Sequence, residues 1–195
     1  MKEFNYFGIL LTKLGNFKRA IKTLVGKGTK AMYDILKSGE FHNLSISCQL
    51  ELFDKVVKPI LLYVYELWRL SNCDIIERVY LKYCKLPLNL KSSTPNSMIF
   101  GDLGRCPLHI DIKQRMLLYW TKLITRQQST FCSVVHRLMY HLRNTQNAIC
   151  SWLNSEQNIF DEFDFSYIWD THIIMCEIWL KFNIKIRLHD QFQQT

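Results

Sequence analysis

The sequence predicts a mainly α protein, a multi-helix bundle with a short N-terminal β-hairpin. Apolar residues recur at helical intervals over most of the chain, whereas period-two reading is confined to the first residues. Proline and glycine stand at several of the helical boundaries. With 195 residues, 48% of them hydrophobic, there is material for one core or two small ones, burying roughly 70% of the unfolded surface.

The hairpin falls within residues 1–16. Phe4, Tyr6, Gly8 and Leu10 alternate with Asn5, Phe7, Ile9 and Leu11, so the segment is apolar on both faces and needs cover on both. A first helix is expected over 17–37, with Asn16 as its N-cap. Phe17, Ile21, Leu24, Ala31, Met32 and Ile35 form its apolar stripe. Gly26 and Gly28 interrupt it at a cost of about 1 kcal/mol each relative to alanine, which either a kink or a close contact would explain. A second, central helix is expected over 47–68, with Ile46, Leu50, Phe53, Val57, Ile60, Val64 and Trp68 on one stripe, Leu52, Val56, Leu61 and Leu67 widening it, and a bend at Pro59. Ser71 and Asp74 open a third, ended by Pro87, and Thr94 and Pro95 precede a fourth over 97–103. Pro107 begins a long helix to about Ile124. Further helices are expected at 130–142, 148–154 and 171–191. The helical domain is thus 17–154, with a linker at 155–170 and a C-terminal helix in 171–195; no internal repeat is visible.

Charge is uneven. The net charge is +8, and the first 40 residues hold eight Lys or Arg against three Asp or Glu. At 100° per residue, Lys18, Arg19, Lys22, Lys30 and Lys37 fall within an arc of roughly 120° beside the apolar stripe. Such a face can track phosphates by releasing condensed counterions, and it can equally be a solvated surface.

Other chemistry finds little support. Seven cysteines are scattered without a C-x-x-C pair, as expected of reduced, mostly buried intracellular thiols. Cys132 and His136, spaced i, i+4, could share a helix face as zinc ligands; ordinary core roles are commoner, so no metal and no cofactor are expected. Asp161, Glu162 and Asp164 read as helix-start capping rather than a metal site. The five tryptophans lie on separate elements and read as core or interface residues. No charge-free apolar stretch of 18 residues occurs, so no membrane span is expected, and the N-terminus lacks a signal-peptide pattern.

Several segments carry a resemblance in a fixed order: FNYFGILLTKL, KAMYDILKSG, QLELFDKVVKPILLYVYELW, SNCDIIERVYLKYCK, KSSTPNSMIFGDLGRCPLHIDIKQRM and finally RLHDQF. Together they resemble the region downstream of the polymerase palm in reverse transcriptases of non-LTR, long-interspersed-element retrotransposons. The resemblance implies that Tyr6, Phe7 and Gly8 belong to a hairpin that holds the primer terminus. It implies that the first helix opens the thumb, with Lys18, Arg19, Lys22 and Lys30 against the primer and template duplex. Where the family reads close to LLYGSEVW, Val64 replaces the glycine and Tyr65 the small polar residue.

The palm's paired aspartates are absent, and with them the carboxylates that hold metals for phosphoryl transfer. The expectation is therefore a non-catalytic, intracellular fragment, nuclear or cytoplasmic, truncated at both ends. Its partners would be an RNA or DNA duplex, bound without sequence preference, and the palm of a longer polyprotein. The alternative is a helical scaffold that buries its apolar hairpin against a partner or self-associates, without binding nucleic acid.

Overall fold

A computed structural model describes residues 3–6, 8–12, 17–65, 73–125, 130–146, 151–174 and 177–193. The chain is mainly α, with the hairpin as its one sheet among the described residues. It forms two compact units: the described residues of 1–64 and 71–108, and those of 65–70 and 109–195. A single 17–154 domain is therefore corrected. One of the boundaries, after Leu108, falls at the start of a helix, where composition does not change.

In the first unit, β1 (Glu3–Tyr6) pairs antiparallel with β2 (Ile9–Thr12), Tyr6 facing Ile9. Gly8 in the intervening turn has φ +80°, a conformation that glycine adopts without steric cost. Helix α1 (Lys18–Leu36) follows. Its N-cap is Phe17, which provides no side-chain cap, and Asn16 lies outside the described residues. Ala20, Ile21, Leu24, Gly28 and Met32 are its buried face, as the 3.6-residue period requires.

The expected central helix is three pieces: α2 (Ile46–Leu52), a π-helical turn (Phe53–Val57) and α3 (Lys58–Leu61). Ser45 caps α2 by accepting from the Cys48 amide. Pro59 has no amide to give to a carbonyl four residues back, and the wider turn just before it carries the chain past that gap, the Lys58 amide reaching back to the Phe53 carbonyl. The extra residue shifts the phase, so that Leu62 joins Leu61 on the buried side and Ile60 turns away from it. Helix α3 ends well short of residue 68, in turns that put Val64 at φ +55°. The other non-glycine residues at positive φ among the described residues are Asn89, Asp164 and His172, types that tolerate it; a β-branched residue does not.

Helix α1 packs on the π turn, α3 and α4 (Cys73–Lys85), and α4 packs on α5 (Asn96–Leu103). Gly104, left-handed at φ +58°, ends α5. Phe53, Tyr80 and Tyr83 cluster with ring centroids about 5 Å apart. The Tyr83 hydroxyl donates to the Gln49 carbonyl at 2.5 Å, and Gln49 Nε2 donates to the carbonyls of Phe41 and Leu44. Arg105 pairs with Asp54 at 2.5 Å.

The second unit holds most of α6 (Leu108–Thr125), then α7 (Phe131–Gln146), α8 (Ser151–Glu162), α9 (Ser166–Thr171) and α10 (Glu177–Gln193). Helices α8 and α9 correct the linker expected at 155–170. Phe160, Phe163, Phe165, Ile168 and Trp169 are buried there, and Asp161, Glu162 and Asp164, the acids that give the segment a loop-like composition, are partnered at the surface. Glu162 takes Lys113 at 2.5 Å, Asp161 accepts from Ser166 at 2.7 Å, and Asp164 lies 3.5 Å from Arg187. Trp120 stacks on Trp169 at 5.5 Å and lies 4.5 Å from Phe160. Two tryptophans from distant segments thus meet in one core. No helix among the described residues is long and apolar enough to cross a membrane.

Glu156 on α8 is fully buried, and neither of its carboxyl oxygens has a hydrogen-bond partner. Burial pushes its pKa up to about 8. A raised carboxyl pKa contributes most below the unfolded value, and that contribution is lost as pH rises through the folded one. Chemical denaturation across pH should therefore show Glu156→Gln gaining on the parent chain by about 1.4 kcal/mol per pH unit between the ordinary carboxylate range and pH 8. A difference that does not change with pH would contradict a protonated Glu156. Separately, Val64→Gly should stabilise the fold by about 1 kcal/mol, the strain relieved less the entropy cost of glycine. A loss of stability would show that Val64 is not strained.

Candidate nucleic-acid interface

The buried stripe of α1 fixes what its other side presents. Lys18, Arg19, Lys22, Lys30 and Lys37 are all exposed, within the arc the spacing predicts. From Lys18 to Lys30 the axis runs about 18 Å. The helix's one acid, Asp34, lies about 40° beyond Lys30 and outside the arc. Cations and small or aromatic side chains therefore hold this face.

Two residues that sequence reasoning passed over belong to it, with a third, Gly26, whose position it left unexplained. Tyr33 lies at the middle of the arc, and Lys82 of α4 donates to its hydroxyl at 2.5 Å while standing 5.0 Å from its ring centroid. Lys82 thereby adds a cation from a second helix. Their sequence separation left no local signal; only the packing of α1 on α4 brings them together. The third is Gly26. A methyl group built there meets nothing within 4 Å, whereas one at Gly28 falls 2.5 Å from Leu61 Cδ2. Close packing explains Gly28 and does not explain Gly26. Gly26 opens a gap in the basic face where another backbone could approach.

The hairpin reaches α1 elsewhere. At Gly8, an ideal Cβ would stand 3.9 Å from Lys27 Nζ, so the turn lies beside Lys27, about 60° beyond the arc and past Asp34. Tyr6 ends β1 next to that turn, and Phe7 lies outside the described residues. The structure thus gathers Lys18, Arg19, Lys22 and Lys30 on one helix face. It places Gly8 next to Lys27, which the periodicity had left out.

Cys84 is the one buried thiol among the described cysteines, its pKa pushed up to about 12 by burial, while Cys48 and Cys132 are exposed. The expectation of mostly buried thiols is corrected: the stripes that fill the core are aromatic and aliphatic, and leave these two cysteines on outer faces. Cys132 is exposed where His136, one turn on, is buried. Among the described residues no group of three His, Cys, Asp or Glu could hold a metal ion.

These features define a mainly α protein with a basic helical face beside a β-turn. No family model, curated protein or solved structure matches the chain.

Replacing Lys18, Arg19 and Lys22 together with glutamate should lower the salt dependence of duplex binding without changing helix content. A face making three to five phosphate contacts gives a slope of log affinity against log salt of roughly −3 to −5, and the triple variant should flatten it by about 3. Fluorescence anisotropy over a salt series measures both slopes. Equal slopes would mean that the face is only solvated.

Proposed function

We propose that the chain is the thumb and post-thumb part of a non-LTR retrotransposon reverse transcriptase, non-catalytic by itself, that holds a nucleic-acid duplex without reading its sequence. The observation that carries this reading is the exposed cationic arc of α1, free of acids and joined by Lys82 of α4. Its cations are long side chains spread along one helix face, suited to phosphates, so contact falls steeply with salt. The ordered run of family-like segments supports the reading as well. So does Val64, held at φ +55° where the resembling motif has glycine. A backbone conformation that suits glycine has persisted there under a residue that strains it.

On this reading the hairpin turn at Gly8 is the relic of the primer-holding element, and the duplex is met inside the cell, in nucleus or cytoplasm. Phosphoryl transfer requires carboxylates that hold divalent metals in line with the reacting phosphate. The chain has no such aspartate pair in the family arrangement, so the chemistry belongs to a palm supplied by a longer polyprotein.

A second reading has its own support in the second unit. Phe131, Val134 and Leu138 form an exposed apolar row on α7, and Ile178, Phe182 and Ile186 form one on α10. Phe131 is 80% exposed and Ile178 77%. Rows of this kind mark interaction surfaces. They suit a scaffold that packs on a palm, a partner or a second copy.

Primer extension and duplex binding, measured on the same preparation, test the proposal. Expected is salt-dependent binding of an RNA–DNA duplex with no template-dependent incorporation in magnesium or manganese. Incorporation above a buffer control would overturn the non-catalytic assignment. Absence of binding, together with concentration-dependent self-association, would give the scaffold reading the lead.

A further inference from the structure

Two glycines stand two residues apart on α1, and they face opposite ways. Gly28 is buried between Leu24 and Met32, one turn to either side, and Leu61 of α3 occupies the space its side chain would need. Gly26 is exposed between Lys22 and Lys30, again one turn to either side, about 6 Å away along the axis. A glycine inside a helix is less stable there than an alanine. At Gly28 the close approach of another element explains that cost. At Gly26 nothing among the described residues does: the helix runs unbroken through it, its φ is not positive, and a methyl group built there meets nothing within 4 Å.

We propose, building on the duplex-holding role above, that one strand of the bound duplex crosses α1 at Gly26, its sugar–phosphate backbone seated against the glycine. Lys22 and Lys30 then take its phosphates from the two sides. The Cα atoms of an α-helix lie about 2.3 Å from its axis, whereas its side chains extend to about 5–6 Å. A strand over Gly26 therefore comes about 3 Å closer to the axis than a surface covered by side chains allows, within reach of the lysines one turn away. The surroundings select the occupant. A glycine that admits a protein element is ringed by apolar side chains, as Leu24 and Met32 stand beside Gly28. Around Gly26 stand the exposed Lys22, Lys30 and Arg19, with no acid in the arc. That setting suits the backbone of a polyanion and not the apolar face of another helix. Gly26 is thus a positioning residue: it sets how closely the strand lies, and the lysines supply the charge.

Fluorescence anisotropy with an RNA–DNA duplex, alongside thermal unfolding, tests this on the full chain carrying Gly26→Ala or Gly26→Lys. Alanine is the better helix former at a site with room, so Gly26→Ala should raise the melting temperature. Lysine keeps the fold, its helix propensity set against repulsion from Lys22 and Lys30. Both should nonetheless weaken duplex binding, Gly26→Ala by about threefold and Gly26→Lys by about tenfold despite its added cation. A face that only supplies charge would answer the other way, with Gly26→Lys binding more tightly and steepening the salt slope by about one. Variants that bind as tightly as the parent, or more so, overturn the seat at Gly26 and leave the cationic arc in place. A lower melting temperature in Gly26→Ala would mean that the chain itself closes on Gly26, which overturns the seat too. A parent chain without salt-dependent binding would remove the duplex-holding role and this contact with it.

Discussion

Gly28 has no side chain, and the space a methyl group would need is occupied by Leu61. This close approach of α1 to α3 organises the first unit. It sets the rotation of α1 about its own axis, turning Ala20, Ile21, Leu24 and Met32 inward and the lysines outward. The π turn before Pro59 adjusts the same face, adding Leu62 to the buried side and turning Ile60 away. The cationic face is thus a consequence of packing: given that approach, the remaining side of α1 must meet solvent.

The second unit is held differently. Its core is aromatic, with Trp120, Phe160 and Trp169 in mutual contact, and it buries polar groups that its own side chains do not satisfy. Glu156 and His136 are each pushed toward neutrality by burial, in opposite directions along the pH scale. A buried neutral imidazole costs stability as pH falls below its unfolded pKa; a buried carboxyl costs stability as pH rises above its own. Between about pH 4.5 and 6.5 the two dependences cancel, and above that range Glu156 alone sets the trend.

Much of the fold was legible in the sequence because an amphipathic helix announces itself through its period. The buried stripe of α1, the inward row Leu108, Ile112, Met116 and Trp120, and the left-handed glycine after α5 all follow from local pattern. What was not legible depended on distant partners or competing signals. Gly26 and Gly28 look alike until Leu61 arrives beside one of them. The acids at 161, 162 and 164 made a helical, core-lining segment look like a linker, although Ile159, Phe160 and Phe163 recur there at helical spacing. Of the candidate site, the lysine arc was readable from angle alone. Lys82 over Tyr33 and the turn beside Lys27 required tertiary packing to be known.

Whether the lysine arc meets a duplex is the central question, and residue-resolved lysine reactivity answers it most directly. Amines would be acetylated with and without a short RNA–DNA duplex and read by mass spectrometry. The account predicts protection of Lys18, Lys22 and Lys30, lesser protection of Lys27 and Lys82, and unchanged reactivity at Lys122 on α6. Protection absent from α1, or uniform over all exposed lysines, would contradict it.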